Sequence, residues 1–244
     1  MKILKYFSKF EISLWSVSVI LIITSFLIFD KNGYLTLIAS LIGVTSLIFN
    51  AKGNPIGQLL MVAFSVLYGI ISFSFAYYGE MITYLGMTAP MAIVALVSWL
   101  KNPYKGNRAQ VKVNRISKKE AALMLPVSII VTIAFYFILV YFNTASIIPS
   151  TLSVATSFIA SYLTFRRSPY FALAYALNDV VLIIMWIIAS FENTSYVSVI
   201  VCFLIFLAND LYGFFSWFNM QKQQKTGDVA TSTEQKQTHS HLKP

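Results

Sequence analysis

Eight apolar stretches, at about residues 11–29, 35–50, 55–78, 80–100, 120–142, 147–165, 169–190 and 196–217, alternate with short polar breaks along this chain. Each is near the length of about 20 residues that a helix rising about 1.5 Å per residue needs to cross a hydrocarbon layer about 30 Å thick. The pattern predicts eight membrane-spanning helices in one bundle. The breaks at Asp30-Lys31-Asn32-Gly33, Lys52-Gly53-Asn54-Pro55, Asn143-Thr144, Arg166-Arg167-Ser168-Pro169 and Glu192-Asn193 combine charge with turn formers. Pro55 and Pro169 fall where the first turn of a helix accepts proline. Pro90, Pro126 and Pro149 lie inside runs, where a freed carbonyl is expected to face protein or water. The first run follows Lys2, Lys5 and Lys9 but no small-residue cleavage site follows it, so it is read as a retained span rather than a signal peptide.

The runs repeat. Runs two to four and six to eight share an outline: a span rich in small and hydroxyl residues, a loop ending in Pro, a span, a loop bearing one Glu (Glu80, Glu192), then a span ending in Trp near a basic residue. Pro55 to Trp99 is 44 residues and Pro169 to Trp217 is 48. Because the fifth run separates the triplets, both have the same orientation. The expected fold is an all-α polytopic bundle of two parallel three-helix repeats, residues 34–100 and 147–218, joined by a linker helix in 120–146. An N-terminal helix within 1–33 is expected as an appendage, with a basic loop over 101–119 and a disordered tail over 219–244.

Composition agrees with the pattern. A mean hydropathy of +0.71 with 11% charged residues excludes an ordinary soluble surface. If the runs alternate, 17 of the 18 Lys and Arg lie on the side of the N-terminus and Lys31 alone on the other, which predicts cytoplasmic termini in a plasma (inner) membrane protein. The net charge of +9 is thereby explained by topology, and the basic loop points to anionic lipid head groups rather than nucleic acid. Cys202 is alone, so no intrachain disulfide is expected. His239 and His241 sit in the polar tail, so no metal site and no cofactor is expected. Self-association into a homo-oligomer is left open.

The candidate chemistry lies in two similar stretches, "ALND" at 176–179 and "LAND" at 207–210, each with a Trp seven residues after its Asp, Trp186 and Trp217. An Asp at the centre of a spanning helix costs about 2.5–3.5 kcal/mol on insertion scales, so it must face the bundle interior. Tyr175, Asp179 and Trp186 share one helical face with Asn178 adjacent, and the eighth run adds Asn209, Asp210 and Tyr212, nearer the cytoplasm. Gln58 and Tyr68 on the third run, with Tyr84 and Thr88 on the fourth, are expected to face them. Aromatic faces with carboxylates suit a flat, polar or cationic solute of nucleoside size. Interhelical hydrogen bonding is the plain alternative for both Asn-Asp pairs, and Trp217 reads as an interfacial anchor. The two Asp residues lack the Gly-x-Gly-Asp context of an aspartyl intramembrane protease, and no other catalytic motif is present, so no catalytic residue is assigned. A receptor or subunit that transports nothing would suit the same bundle.

The segments "YGEMITYLGMTAPMAIVALVSWLKNP" (78–103) and "FLANDLYGFFSWFNM" (206–220), with runs grouped one, three, one and three, resemble the PnuC-type vitamin transporters from about residue 35 to 218. The resemblance implies a SWEET-like pair of triple-helix bundles, facilitated diffusion of nicotinamide riboside by alternating access, and trapping by a cytoplasmic kinase. Relatives on the same scaffold carry thiamine or other nucleoside-like vitamins. Many relatives have Gln where this chain reads Met91-Ala92, which implies that a substrate hydrogen bond is lost or comes from Gln58.

Overall fold

The computed structural model describes residues 6–74, 77–144 and 146–241, with side chains to Val229. Its order is α1 (Lys9–Phe29), α2 (Tyr34–Ala51), α3 (Pro55–Ser74), α4 (Tyr78–Thr83), a π-helical turn (Tyr84–Thr88), α5 (Ala89–Lys101), β1 (Pro103–Tyr104), β2 (Asn107–Val111), α6 (Lys118–Tyr141), α7 (Ile147–Phe165), α8 (Phe171–Ser190), a 3-10 turn (Thr194–Tyr196) and α9 (Val197–His241). With α4, the π turn and α5 taken as one, eight helices among the described residues are long and apolar enough to cross a membrane. All short connections bearing Lys52, the hairpin and Arg166 fall on one face, here the basic face.

Packing closes a ring. α2 packs on α3, α3 on α5, α5 on α7, α7 on α8, α8 on α9 and α9 back on α2. Two of these contacts, α5 with α7 and α9 with α2, are the seams between the triplets. The remaining helices cover the seams, since α1 packs on α2 and α9, and α6 on α7 and α4. The first helix is therefore not an appendage but the counterpart of the linker helix. Matching starts support this: Ser8 and Ser117 each cap a helix by accepting the backbone N–H of Glu11 or Glu120. Glu11 then pairs with Lys52 after α2, Nζ to Oε1 3.4 Å, as Glu120 pairs with Arg166 after α7, Nη2 to Oε2 3.0 Å. The repeat unit is four helices, and Ser-Lys-x-Glu marks the start of each.

The turns after α2 and α7 are built alike. Gly53 (φ 66°) and Arg167 (φ 58°) are both left-handed, and their N–H groups donate to the carbonyls of Asn50 and Thr164. Asn54 then accepts from Ile56 N–H ahead of Pro55, so α3 starts at once. Gly57 lets α3 approach α2 closely: a β-carbon there would lie 2.7 Å from the backbone nitrogen of Asn50. Pro90 cannot donate an N–H, and the π turn just before it, in which Ala89 N–H reaches the Tyr84 carbonyl, absorbs the misfit. The rings of Pro90 and Pro126 are exposed on the outside of the bundle.

On the basic face the structure fills in one loop and corrects one expectation. The loop over 101–119 is folded, as β1 and β2 form an antiparallel hairpin turned at Lys105-Gly106, both with positive φ. Val111 is fully buried and its N–H donates to the Gly53 carbonyl at 2.9 Å. The tail, expected to be disordered from 219, continues α9 to His241. Gln224 explains part of this, since its side chain donates to the Val111 carbonyl and accepts from Val113 N–H at 2.8 Å, so hairpin and α9 hold each other.

Candidate functional site

Three layers stack along the axis of the ring. On the basic face, Trp99 and Trp217 are fully buried with ring centroids 5.3 Å apart, and Phe171 closes on Trp217 at 4.8 Å. Each indole crosses to the other triplet: Trp99 donates to the Thr164 carbonyl at 2.9 Å and Trp217 to the Asn50 carbonyl at 2.7 Å. Thr164 and Asn50 are the matching carbonyls of the two turns described above, so the contact is itself twofold. Trp217 is a buried cross-brace rather than an interfacial anchor.

Toward the opposite face a second aromatic layer forms from Tyr68, Tyr77, Trp186 and Tyr196. Trp186 donates to the Tyr68 hydroxyl at 2.7 Å, and its ring lies 4.9 Å from Tyr77 and 5.3 Å from Tyr196.

Between the layers lies a cavity lined by Tyr84 and Thr88 of the π turn, Tyr175, Asn178 and Asp179 of α8, and Asp210 of α9, with Ser157 and apolar residues of α2, α3 and α9 completing the wall. Its volume of about 30 Å³ holds a water or two rather than a nucleoside. The carboxyl groups of Asp179 and Asp210 lie within hydrogen-bonding reach of each other. The sequence expected Asp210 at a lower level, but the opposite run of α8 and α9 brings the two together. Among the described residues, no Lys or Arg lines the cavity. Asp179 Oδ2 and Thr88 Oγ1 are buried without a hydrogen-bond partner. Asn178, by contrast, is held by Thr156 and Ser157, which donate to its Oδ1 at 2.8 and 3.0 Å, and Tyr175 shares a 3.3 Å contact with Ser161. Asn178 and Tyr175 are thus fixed by α7, whereas the carboxylates have capacity to spare.

Of the residues singled out from the sequence, Tyr84, Thr88, Tyr175, Asn178, Asp179 and Asp210 meet on this wall. Tyr68 and Trp186 stand beside it in the aromatic layer, with the Tyr68 ring 4.4 Å from that of Tyr84. Three residues are elsewhere. Asn209 donates to Ser18 of α1 at 3.1 Å, and Tyr212 donates to Glu11 of α1 at 2.8 Å. Gln58 donates to the Asn50 side chain at 2.8 Å near the basic face, so it does not supply a cavity hydrogen bond in place of Met91-Ala92. Asn209 and Tyr212 face α1 instead of the cavity because a helix turned toward two neighbours, α1 and α8, has two buried polar faces. Glu80 is a buried polar residue that the sequence pattern does not single out. The repeat outline counts it with the loop before the fourth run, yet it lies in the first turn of α4 and is fully buried.

A family model described as nicotinamide mononucleotide transporter matches residues 33–219. A Neisseria mucosa protein described as nicotinamide riboside transporter PnuC is 23% identical over 200 residues, which is 80% of this chain and 76% of that protein. The crystal structure of the vitamin B3 transporter PnuC is similar with a TM-score of 0.79 and 22% identity, covering 89% of this chain and 94% of that one. At that identity the likeness is one of fold.

Proposed function

The chain belongs to the nicotinamide mononucleotide transporter family, and on that premise we propose that it carries nicotinamide riboside across the membrane by facilitated diffusion. The observation that carries the choice of substrate is the composition of the cavity. Two carboxylates, one with an oxygen lacking any partner, and two tyrosines line it, with no basic side chain among them. A positively charged pyridinium ring gains from both the carboxylates and the aromatic faces. A phosphate gains from neither and meets like charge, which favours the riboside over the mononucleotide. The Neisseria relative's description as a riboside transporter agrees.

The basic face is the cytoplasmic side in this reading, because Lys and Arg accumulate there. The two aromatic layers act as alternate gates, and the triplets rock about the cavity between them. A carrier of this kind equalises concentrations and does no more, so net uptake requires removal of the riboside inside. Phosphorylation by a cytoplasmic kinase accomplishes this by adding the charge that the cavity rejects. The protein itself is a carrier and not an enzyme.

A thermal-shift comparison in detergent tests the substrate. Riboside at about 100 times its Kd stabilises the protein by about 2.7 kcal/mol, and nicotinamide mononucleotide at the same concentration leaves Tm unchanged. Equal or greater stabilisation by the mononucleotide, or by thiamine, overturns the assignment.

A further inference from the structure

Glu80 takes no part in the central cavity, yet it is fully buried and neither of its carboxylate oxygens has a hydrogen-bond partner. The Ser153 hydroxyl of α7 faces it within hydrogen-bonding reach, though the geometry falls short of a well-formed bond. None of the ion pairs among the described residues involves Glu80. An unmatched carboxyl inside an apolar bundle is costly and serves packing worse than an alkyl chain of the same size.

Its position suggests what the cost secures. Glu80, Tyr84 and Thr88 follow at four-residue steps down the fourth span, and the lower two line the central cavity. Glu80 is therefore one turn, about 6 Å, farther toward the non-basic face. The Tyr68–Tyr84 ring pair and Tyr77 of the outer aromatic layer all lie within its electrostatic range. Glu80 and Ser153 also face each other across the contact of α4 with α7, between the triplets. A ligand entering where the triplets part on that face meets Glu80 first and Asp179 afterwards.

We propose that Glu80 and Ser153 form a second binding station, which receives the positively charged ring of the ligand on the outer side of the Tyr68–Tyr84 pair and hands it to the Asp179–Asp210 site. This rests on the reading that the ligand is a cationic riboside. The carboxylate supplies the attraction while the ring sheds water, and the Ser153 hydroxyl is free to donate to the ligand or to the carboxylate. Tyr84, shared by both stations, keeps an aromatic face against the ring throughout the step.

The test compares two ligands of nearly the same shape in proteoliposomes: nicotinamide riboside, which is cationic, and its reduced dihydro form, which is uncharged. Glu80→Gln preserves volume and removes the charge. The proposal expects kcat/KM for the cation to fall about tenfold, the size of one charge-assisted contact, with the uncharged form within twofold of the unsubstituted protein. An equal loss on both ligands would mark Glu80 as structural, and no loss on either would leave the station without a role; both overturn the proposal. Failure of the unsubstituted protein to move the riboside at all would instead overturn the functional reading itself. Should Glu80→Gln not fold, labelling of the unsubstituted protein with a hydrophobic carbodiimide decides the matter. Glu80 is expected to react and to be protected by the riboside, and a Glu80 that is unlabelled or unprotected overturns the proposal.

Discussion

A single residue in this bundle is legible to the extent that one helix face decides its surroundings. Asp179 is such a residue: it faces inward wherever α8 faces inward, and it lines the cavity with Tyr175. Asn209 is not, because the next position round a helix points about 100° away, and whether that direction holds a cavity or another helix depends on where α1 lies. Trp186 shows the same limit along the axis. It shares the Asp179 face but stands higher, where its indole donates to Tyr68 at 2.7 Å and no cavity wall is reached. Trp186→Phe keeps the ring and removes that bond, which should lower stability by about 0.5–1.5 kcal/mol while leaving riboside affinity within threefold of the unsubstituted value. Loss of binding on calorimetric titration, with the fold intact, would put Trp186 in the site and contradict the layering.

At the scale of elements, the run pattern predicts every spanning helix because burial in lipid leaves a signal in each window of sequence. It says less about what joins them. The hairpin over Pro103–Val111 and the extension of α9 are held by exchanges between distant segments, such as Gln224 with Val111 and Val113, and no local period announces those. The π turn is similarly silent, although Pro90 hints at it. In the proposed gating, the element contacts that hold the basic face closed are the two indole bonds there. Each ties the last helix of one triplet to the first helix of the other, through Trp99 to Thr164 and Trp217 to Asn50. Both carbonyls also accept a turn N–H, so Trp217→Phe leaves no orphaned acceptor. The expected cost is then only about 0.5–1.5 kcal/mol, directed against the state closed on the basic face. Cysteine placed at Ser161, in a chain lacking Cys202, should label faster from the basic side when Trp217→Phe is added, and faster again with Trp99→Phe. Unchanged labelling in the double variant would mean that these indoles do not hold the gate.

Over the whole molecule, the internal repeat was visible as two triplets but its unit is larger. The pairs Glu11–Lys52 and Glu120–Arg166 make α1 and α6 equivalents, each fastened by a carboxylate to the turn that follows the first helix of its triplet. Six helices in a ring and two across the seams give a bundle whose halves are alike in backbone and unlike in chemistry. The central carboxylates come from the second half, Asp179 and Asp210, and the first half contributes Tyr84 and Thr88. In the proposed reading, that asymmetry is what draws a cation to the cavity. The claim that everything else serves is that a cationic riboside crosses through this cavity. Its most direct test is uptake of labelled nicotinamide riboside into liposomes, with the unsubstituted protein and Asp179→Asn reconstituted in parallel, and no sodium or proton gradient. The account predicts that the unsubstituted protein brings the inside concentration to the outside value and stops there, and that Asp179→Asn slows the approach by about 10- to 100-fold, the value of a hydrogen bond to a charged group. Equal rates for the two proteins would contradict it.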